Sequence, residues 1–324
     1  MPQGEKSGDR GGPVLAILGP TASGKTDIAL SLAKKIPIQI ISMDSVMVYK
    51  GMDIGSAKPN KATLRAFPHA LVDIREPHDT YSAADFVSDA DLQVKRAWSL
   101  GKLPVLVGGT MLYMKAYREG LAPLPPADED VRLEIEIETE VSGFAGLYDQ
   151  LREIDPEAAR KIHPNNTQRL KRAIEVYRLS GTPISAYWKA QTASDAISRL
   201  QAKILSVALI PEDRAVWHDK IEARFVQMLS DGFIGEVEEL KSRGGLNKGL
   251  PSMRSVGYRQ AWEYLDGNSS LEEFEERSIA ATRQLAKRQL TWLKSWDWIT
   301  VITDGSQKKF DKVIDELIED LVIF

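Results

Sequence analysis

Gly19-Pro-Thr-Ala-Ser-Gly-Lys-Thr26 is the stretch of this chain that decides its fold. It matches the P-loop pattern of Gly, four residues and Gly-Lys-Thr at every fixed position. The apolar run Val14–Leu18 before it predicts a buried strand, and Asp27–Leu32 after it predicts the start of a helix. In that setting the loop N–H groups and the helix N-terminus favour a bound anion. We therefore expect a di- or triphosphate site in which Lys25 reaches a terminal phosphate and Thr26 offers its hydroxyl to Mg²⁺.

The composition limits the class of protein. The chain has 324 residues, 43% of them hydrophobic, which suits one large domain or two ordinary ones. Cysteine is absent, which excludes disulfides, thiolate metal sites and a cysteine nucleophile. No apolar run approaches the ~20 residues that span a bilayer, and the polar, glycine-rich start does not resemble a signal peptide. We expect a cytoplasmic protein without a membrane partner and a disordered tail over residues 1–12.

The charges are unevenly distributed along the chain. A net charge of −4 argues against a nucleic-acid partner, but the distribution of charge matters more than its total. No acidic residue occurs between Ser278 and Trp296, and the range from Arg160 to Arg178 contains six basic residues against Glu175 alone. Two interpretations stay open: a basic binding surface on an acidic protein, or ordinary solvated helix faces.

Several apolar runs rich in β-branched residues predict buried strands. They are Val14–Leu18, Gln39–Met43, Ala70–Ile74, Val105–Val107 and Ile204–Ile210. Helical patterns separate the first four, which predicts a parallel sheet with helices on both faces. Ligands of such sheets bind at the carboxyl ends of the strands. We therefore expect the P-loop, Asp44-Ser45, Arg75–Pro77 and Gly108–Thr110 to face one cleft.

A proline-rich stretch, Leu121–Pro126, interrupts this alternation. Three prolines in four residues make a stiff, extended connector. Only helical patterns follow until about Ser198, the clearest over Gln168–Ser180, which has N-cap candidates before it and Gly181 at the expected C-cap. The sequence thus predicts a P-loop NTPase-like α/β core, residues 13–122 plus 199–324 with C-terminal helices, and an all-helical insertion domain, residues 123–198.

The P-loop needs a second chemical group before a reaction can be assigned. A typical ATPase has an Mg²⁺-holding Asp at the end of a downstream apolar strand, but Val105–Val107 is followed by Gly108-Gly-Thr110. The strand that ends in a carboxylate is the second, at Asp44, and a carboxylate beside a P-loop can be a general base or a metal ligand. We expect His69 and His78 to be structural.

Several motifs, in this order and at these spacings, resemble the tRNA dimethylallyltransferases of the IPP transferase family. They are Gly19–Thr26, Ile41–Ser45, Val48–Pro59, Tyr81–Phe86, Val107–Tyr113, His163–Asn165, Gln168–Arg172, Arg254–Gln260 and Thr282–Leu293. The P-loop alone is not specific to this family, whereas the combination is. Ser56 stands where Thr is common. The resemblance extends from about Val14 to Trp296.

The resemblance implies a prenyl transfer to RNA. A dimethylallyl group passes from dimethylallyl diphosphate to N6 of the adenosine 3′ of the anticodon, in tRNAs reading codons that begin with U. The products are N6-isopentenyladenosine and diphosphate. By resemblance Asp44 takes the N6 proton, Thr110 lies near the base or the leaving oxygen, and Lys25 with Mg²⁺ on Thr26 stabilises the leaving group. The implied diphosphate site consists of Gly19, Pro20, Thr21, Ala22, Ser23, Gly24, Lys25, Thr26 and Arg224.

The implied RNA partner is the anticodon stem-loop, whose target base must leave its stack to enter the cleft. We expect the protein to be a monomer. The implied contacts include the two basic segments found from charge alone. They are Asp44, Ser45, Val46, Met47, Thr110, Arg132, Gln168, Arg169, Leu170, Lys171, Arg172, Arg254, Ser255, Val256, Gly257, Tyr258, Arg259, Lys287, Arg288, Gln289, Leu290, Thr291, Trp292, Leu293 and Lys294. Gln168 and Arg172 are four residues apart and so share one helix face.

Three other functions stay open. A small-molecule kinase of the shikimate or adenylate type would use ATP on the same P-loop, but it leaves the basic helices unexplained. An adenylate dimethylallyltransferase that makes free cytokinin needs neither the insertion nor the second basic segment. A non-catalytic RNA-binding protein with a relic P-loop is disfavoured by the intact Lys25, Thr26 and Asp44.

Overall fold

The computed structural model of the chain describes residues 11–190, 195–303, 311, 312 and 315. Residues 1–10 of the tail predicted over 1–12 lie outside the described residues. The chain divides into two compact units, Met1–Arg118 with Ala196–Phe324 and Glu119–Asp195, here called the sheet unit and the helical unit. The insertion predicted over 123–198 overlaps the helical unit, and its role as a tRNA-contacting domain stays a prediction.

In the described ranges, the strands of the sheet unit form one six-stranded parallel sheet in the order β3-β2-β4-β1-β5-β6. They are β1 (Pro13–Leu18), β2 (Ile38–Met43), β3 (His69–Ala70), β4 (Leu103–Gly108), β5 (Lys203–Leu209) and β6 (Thr300–Ile302). Strand β1 lies between β4 and β5, where Ile17 aligns with Val107 and Val207.

The helices of both units follow in chain order. They are α1 (Lys25–Ala33), α2 (Lys61–Ala66), α3 (Ala83–Ser99), α4 (Met111–Glu119), α5 (Glu129–Ile154), α6 (Pro156–Lys161), α7 (Thr167–Ser180), α8 (Ile184–Lys189), α9 (Ala196–Leu200), α10 (Arg214–Ser230), α11 (Phe233–Ser242), α12 (Tyr258–Leu265) and α13 (Leu271–Lys294). Helices α5–α8 belong to the helical unit, and all the others lie wholly or mostly in the sheet unit.

The sheet of this unit is buried on both faces. Successive residues of β1 point to opposite faces, and they join different hydrophobic cores: Ala16 and Leu18 pack in one, Leu15 and Ile17 in the other. All four are at most 1% exposed. A parallel sheet covered by helices on both faces confirms the predicted α/β fold.

The third strand is shorter than the predicted Ala70–Ile74. Strand β3 ends at Ala70, because Leu71 and Asp73 have φ values of 64° and 56°, in the left-handed region that an extended strand cannot contain. None of Arg75, Glu76 and Pro77 is among the described residues that line the cavity beside the P-loop, so the prediction that they face this cleft is wrong. Arg75 instead forms a bridge with Tyr49, and its guanidinium lies 3.6 Å from the carboxylate of Asp89.

The helical unit has its own apolar core between α5 and α7. Leu147, Leu151, Leu170 and Ile174 are at most 1% exposed and pack together there. The predicted helix over Gln168–Ser180 is present as α7. The Asn166 side chain accepts a hydrogen bond from the Arg169 N–H at its start, and Gly181 ends it at φ 68°.

Candidate active site

The P-loop joins β1 to α1 and lines a cavity of about 820 Å³ in the sheet unit. Two of its residues need a left-handed backbone: Ala22 at φ 60° and Gly24 at φ 84°. Gly19 is required for space, since a Cβ there would lie 2.4 Å from Ser23 Oγ and 3.1 Å from the Leu209 carbonyl oxygen. The loop therefore has the tight backbone path that brings amide N–H groups close to a phosphate.

The tips of three adjacent strands meet at this cavity, as predicted for the P-loop, Asp44 and the glycines after β4. Asp44 follows β2, and Gly108 and Gly109 come at the end of β4. Thr110 is the next residue, and its Oγ1 accepts a hydrogen bond of 3.1 Å from the Ser45 N–H. Thr110 itself is not among the described residues that line the cavity, so the structure places it beside the cavity next to Ser45.

Asp44 is held by its own turn. Its Oδ1 accepts hydrogen bonds from the Val46 N–H at 2.8 Å and the Met47 N–H at 3.1 Å. Within the described part of the chain, Oδ2 has no hydrogen-bond partner, and Asp44 is only half-buried. One oxygen therefore orients the carboxylate while the other is available to accept a proton.

Two cations lie in the same cavity. Lys25 Nζ donates to the Pro20 carbonyl at 3.2 Å. Burial, assisted by repulsion from Arg224 and opposed by attraction to Asp44, lowers the pKa of Lys25 to about 8. Burial also lowers the pKa of Arg224, again opposed by Asp44. Because burial and mutual repulsion disfavour the charged forms of these two side chains, an anion bound between them would stabilise both charges.

A polar network that sequence reasoning missed surrounds the P-loop. Gln289, predicted as an RNA contact, is 9% exposed. Its Oε1 accepts from the Thr21 N–H at 2.9 Å, and its Nε2 donates to the Gly109 carbonyl at 2.8 Å. Trp217 Nε1 donates to the Thr21 carbonyl at 2.9 Å, and Arg224 lies 3.5 Å from the Thr21 hydroxyl. Gln289 belongs to the motif Thr282–Leu293 and Arg224 to the implied diphosphate site. No motif, however, signals Trp217 or the bonds that these side chains from distant helices make with Thr21.

One wall of the cavity is apolar. Its side chains come from the loop after β2 and from helices α10 and α11, and they include Val46, Met47, Phe225, Met228 and Phe233. Phe225 and Phe233 are at most 4% exposed. The cavity therefore combines an anion-binding end with a surface suited to a small hydrocarbon group.

Glu236 on α11, also missed from sequence, holds two loops of the cavity together. Its carboxylate accepts from the N–H groups of Asp53 and Ile54 at 2.8 and 2.6 Å and of Gly55 at 3.2 Å, and from the Tyr258 hydroxyl at 2.6 Å. Gly55 lines the cavity, as does Gly257, the neighbour of Tyr258.

The predicted RNA contacts of the sheet unit divide by exposure. Arg254, Arg259, Lys287, Arg288 and Lys294 are exposed, and in the described residues they form no ion pair. Tyr258 and Leu293, in contrast, are fully buried in the apolar core. In this structure those two side chains are packing residues, and any RNA contact by these segments falls to their exposed neighbours.

The predicted RNA contacts of the helical unit divide in the same way. Gln168 and Arg169 are exposed, whereas Leu170 is buried in the unit's core. Arg132 and Arg172 both pair with Glu175, at 2.9 and 2.8 Å, and the side chain of Glu175 is 2% exposed. Arg132 and Arg172 therefore have a structural partner in addition to any RNA they bind.

The remaining site predictions concern histidine, metal and membrane. His69 lines the cavity, its Nδ1 donates to the Phe67 carbonyl at 2.6 Å, and burial lowers its pKa. No cluster of three or more His, Asp or Glu side chains in the described residues forms a protein-only metal cage. Among the described helices, none has the length and apolar character needed to cross a membrane.

Comparison with known proteins agrees with this geometry. Residues 47–296 match the family described as IPP transferase. A protein of Hahella chejuensis named tRNA dimethylallyltransferase 2 is 51% identical over 300 residues, which cover 89% of this chain and 90% of that protein.

Solved structures are also similar to the chain. The full-length tRNA isopentenylpyrophosphate transferase of Bacillus halodurans is 35% identical with a TM-score of 0.68, over 95% of this chain and 96% of that one. A eukaryotic dimethylallyltransferase acting on tRNA has a TM-score of 0.76 at 23% identity, over 95% of this chain and 80% of that one. The latter supports the fold alone.

Proposed function

This chain belongs to the IPP transferase family, and from that premise we propose how it performs a tRNA dimethylallyl transfer. The enzyme is a prenyltransferase that modifies tRNA. The dimethylallyl donor is dimethylallyl diphosphate, and the acceptor is N6 of the adenosine 3′ of the anticodon in tRNAs reading codons that begin with U. The observation that carries this assignment is one cavity that combines a P-loop, the half-buried cations Lys25 and Arg224, an apolar wall and Asp44.

The diphosphate is the leaving group. Breaking the allylic C1–O bond moves an electron pair onto a diphosphate oxygen, so negative charge grows at the P-loop. Lys25, Arg224 and the P-loop line this end of the cavity, and preorganised donors stabilise charge where it develops. The lowered pKa of Lys25, caused first by burial and then by repulsion from Arg224, supports this role, because a bound anion stabilises the charged form against both.

Asp44 is the general base. The N6 nitrogen forms a bond to C1 of the dimethylallyl group, and the proton it loses passes to Asp44 Oδ2. The hydrogen bonds from Val46 and Met47 occupy Oδ1 and leave Oδ2 to take this proton. The Thr110 hydroxyl oxygen accepts a hydrogen bond from the Ser45 N–H, and this bond joins the turn after β4 to the turn that carries Asp44.

The residues present fit Mg²⁺ bound with the substrate. Mg²⁺ is usually held by one or two protein ligands together with phosphate oxygens and water, without a dedicated protein cage. Thr26 lines the cavity and offers a hydroxyl, and the described residues contain no larger metal-ligand cluster. When bound, Mg²⁺ neutralises charge on the diphosphate, and Thr26 is the residue that would hold it. We expect the enzyme to act in the cytoplasm as a monomer.

Mass spectrometry of bulk tRNA, incubated with the protein, dimethylallyl diphosphate and Mg²⁺, tests this function. We expect N6-isopentenyladenosine only next to anticodons that read codons beginning with U. A parallel reaction with free AMP separates the free-cytokinin function, and one with ATP and no prenyl donor separates a kinase. Prenylated AMP with unmodified tRNA, or release of ADP, would contradict the proposal.

A further inference from the structure

The Gln289 carboxamide uses both of its hydrogen-bonding ends on backbone groups of the reaction centre. It accepts from the Thr21 N–H of the P-loop and donates to the Gly109 carbonyl of the turn after β4. Gln289 is 9% exposed and Gly109 is buried, so the Gly109 carbonyl would lose its partner at a buried position without Gln289. An unmade hydrogen bond at a buried group costs more than the same bond at a surface.

These bonds determine which P-loop amides remain for a ligand. The Thr21 N–H already points at Gln289, and the Thr21 carbonyl is occupied by Trp217 Nε1 at 2.9 Å. The peptide groups around Thr21 are therefore braced from two helices, α10 and α13. The amides available to the diphosphate are those after Thr21, toward Lys25.

Steric fit around Gly109 shows how closely the carboxamide is seated. A Cβ at Gly109 would lie 2.6 Å from Gln289 Nε2 and 3.1 Å from the Gly19 carbonyl oxygen. The P-loop, the turn that leads to Thr110 and the Gln289 side chain thus meet in one place. Because hydrogen bonds and close contacts join these three parts, we expect that a shift of one would alter the positions of the other two.

Gln289 also separates two faces of α13. Ala286 and Leu293 share its buried side, at 1% and 0% exposed. Lys287, Arg288 and Lys294 lie on the exposed side. The side chain is therefore directed away from the surface on which these cations would meet RNA phosphates.

We infer that Gln289 is a positioning residue, which locks the diphosphate loop to the Thr110 turn from the same helix that presents the basic RNA face. Gln289 lines the cavity, and through these two bonds it fixes the distance between the leaving group and the residues around the acceptor base. The expected effect on the transfer rate rests on the proposed function. The link between the P-loop and the turn after β4 rests only on the two hydrogen bonds.

The first test substitutes Gln289→Met, which nearly keeps the side-chain shape but removes both hydrogen bonds. Gln284→Met is the matched control, since Gln284 is exposed on the same helix. In single-turnover reactions with enzyme in excess, we expect the Gln289→Met rate constant to fall by roughly 10–100-fold, as misplacement of about 1 Å does. Filter binding should give a tRNA Kd within about twofold of the wild type. When folded enzyme is in saturating excess over tRNA, the rate constant does not depend on the folded fraction.

The second test uses the clash at Gly109 and remains informative if Gln289→Met does not fold. Gly109→Ala should slow transfer by displacing the carboxamide, so adding Gln289→Ala to it should cost much less than Gln289→Ala costs alone. The two changes should therefore be non-additive, as expected for residues that touch each other. Additive losses would overturn the inference.

Two other results would also overturn it. A raised tRNA Kd with an unchanged rate constant would make Gln289 an RNA contact. An unchanged tRNA Kd together with an unchanged rate constant would mean that Gln289 has no part in the reaction. The affinity for inorganic diphosphate with Mg²⁺, measured by calorimetry without tRNA, separates this inference from the proposed function. Even if the wild type failed to modify tRNA, Gln289→Met should weaken that affinity by roughly tenfold through reduced preorganisation, and equal affinities would refute the positioning role.

Discussion

At the residue scale, Asp44 divides two tasks between its oxygens. Oδ1 holds the turn through Val46 and Met47, and Oδ2 is available for the proton. Asp44→Asn keeps an oxygen for the turn but cannot take a proton, so both substrates should bind while kcat falls by about 10²–10⁴-fold. Rapid-quench measurement at saturating substrates checks this. Near-normal turnover would remove Asp44 from the mechanism.

Lys25 makes diphosphate binding depend on pH. Its pKa is lowered to about 8 in the free protein, so Lys25 is charged below that pH and loses its proton above it. Because the protonated form attracts the anion, the affinity for inorganic diphosphate should fall as the pH rises through about 8. The bound anion in turn raises the pKa of Lys25, so binding near this pH should take up protons, which calorimetry in two buffers of different ionisation enthalpy detects.

Lys25→Met is the matched control for this prediction, because diphosphate itself also titrates. The variant should bind diphosphate weakly and lack the step in affinity near pH 8. An identical pH profile in the variant and the wild type would assign the step to the ligand and contradict the role of Lys25.

At the element scale, α13 presents one face to the core and another to solvent. Replacing the exposed Lys287, Arg288 and Lys294 together by Ala should raise the KM for tRNA. The log–log salt slope should fall by roughly 0.7–0.9 for each phosphate that the variant no longer binds. Diphosphate affinity should not change. An unaltered salt slope would mean that these cations are an ordinary solvated face. Ala replacement of Lys95 and Arg96, exposed on α3, controls for the removal of cations from another exposed helix.

Helix α7 carries residues of two kinds, and their substitutions should differ. Gln168→Ala removes an exposed side chain and should weaken tRNA binding with little effect on salt dependence or stability. Arg172→Ala removes a partner of the buried Glu175 and should lower the free energy of unfolding by roughly 1–3 kcal/mol. Urea denaturation and tRNA binding measured on both variants check this. Equal loss of affinity for tRNA and unrelated RNA would contradict the role of Gln168.

At the scale of the whole molecule, the ligand of the P-loop should appear in thermal stability. A ligand that binds only the folded state at 100 times its Kd adds about 2.7 kcal/mol. Inorganic diphosphate with Mg²⁺ should therefore raise the unfolding temperature, and Lys25→Met should abolish the shift. Differential scanning calorimetry with ATP as the comparison checks this, and much stronger protection by ATP would favour the kinase function.

Patterns that depend on neighbouring residues predicted the architecture well. The alternation of strands and helices and the strand–loop–helix context of the P-loop are present in the structure. The third strand shows where such patterns fail. Ala70–Ile74 has the composition of a strand, but strand preference depends on what the residues pair with and pack against. There the backbone turns at Leu71 and Asp73.

The sequence by itself determined the phosphate loop, the parallel fold and the second-strand carboxylate, because each depends on contiguous residues and on the periodicity of the backbone. Only the tertiary structure decided which distant side chains complete the site. Gln289 contacts Thr21 across 268 positions of sequence, and Trp217 does so across 196. The same holds for the basic segments, where burial separates Leu293 and Leu170 from their exposed neighbours. Charge and spacing indicate which helices carry cations, but the packing of those helices determines which face meets solvent.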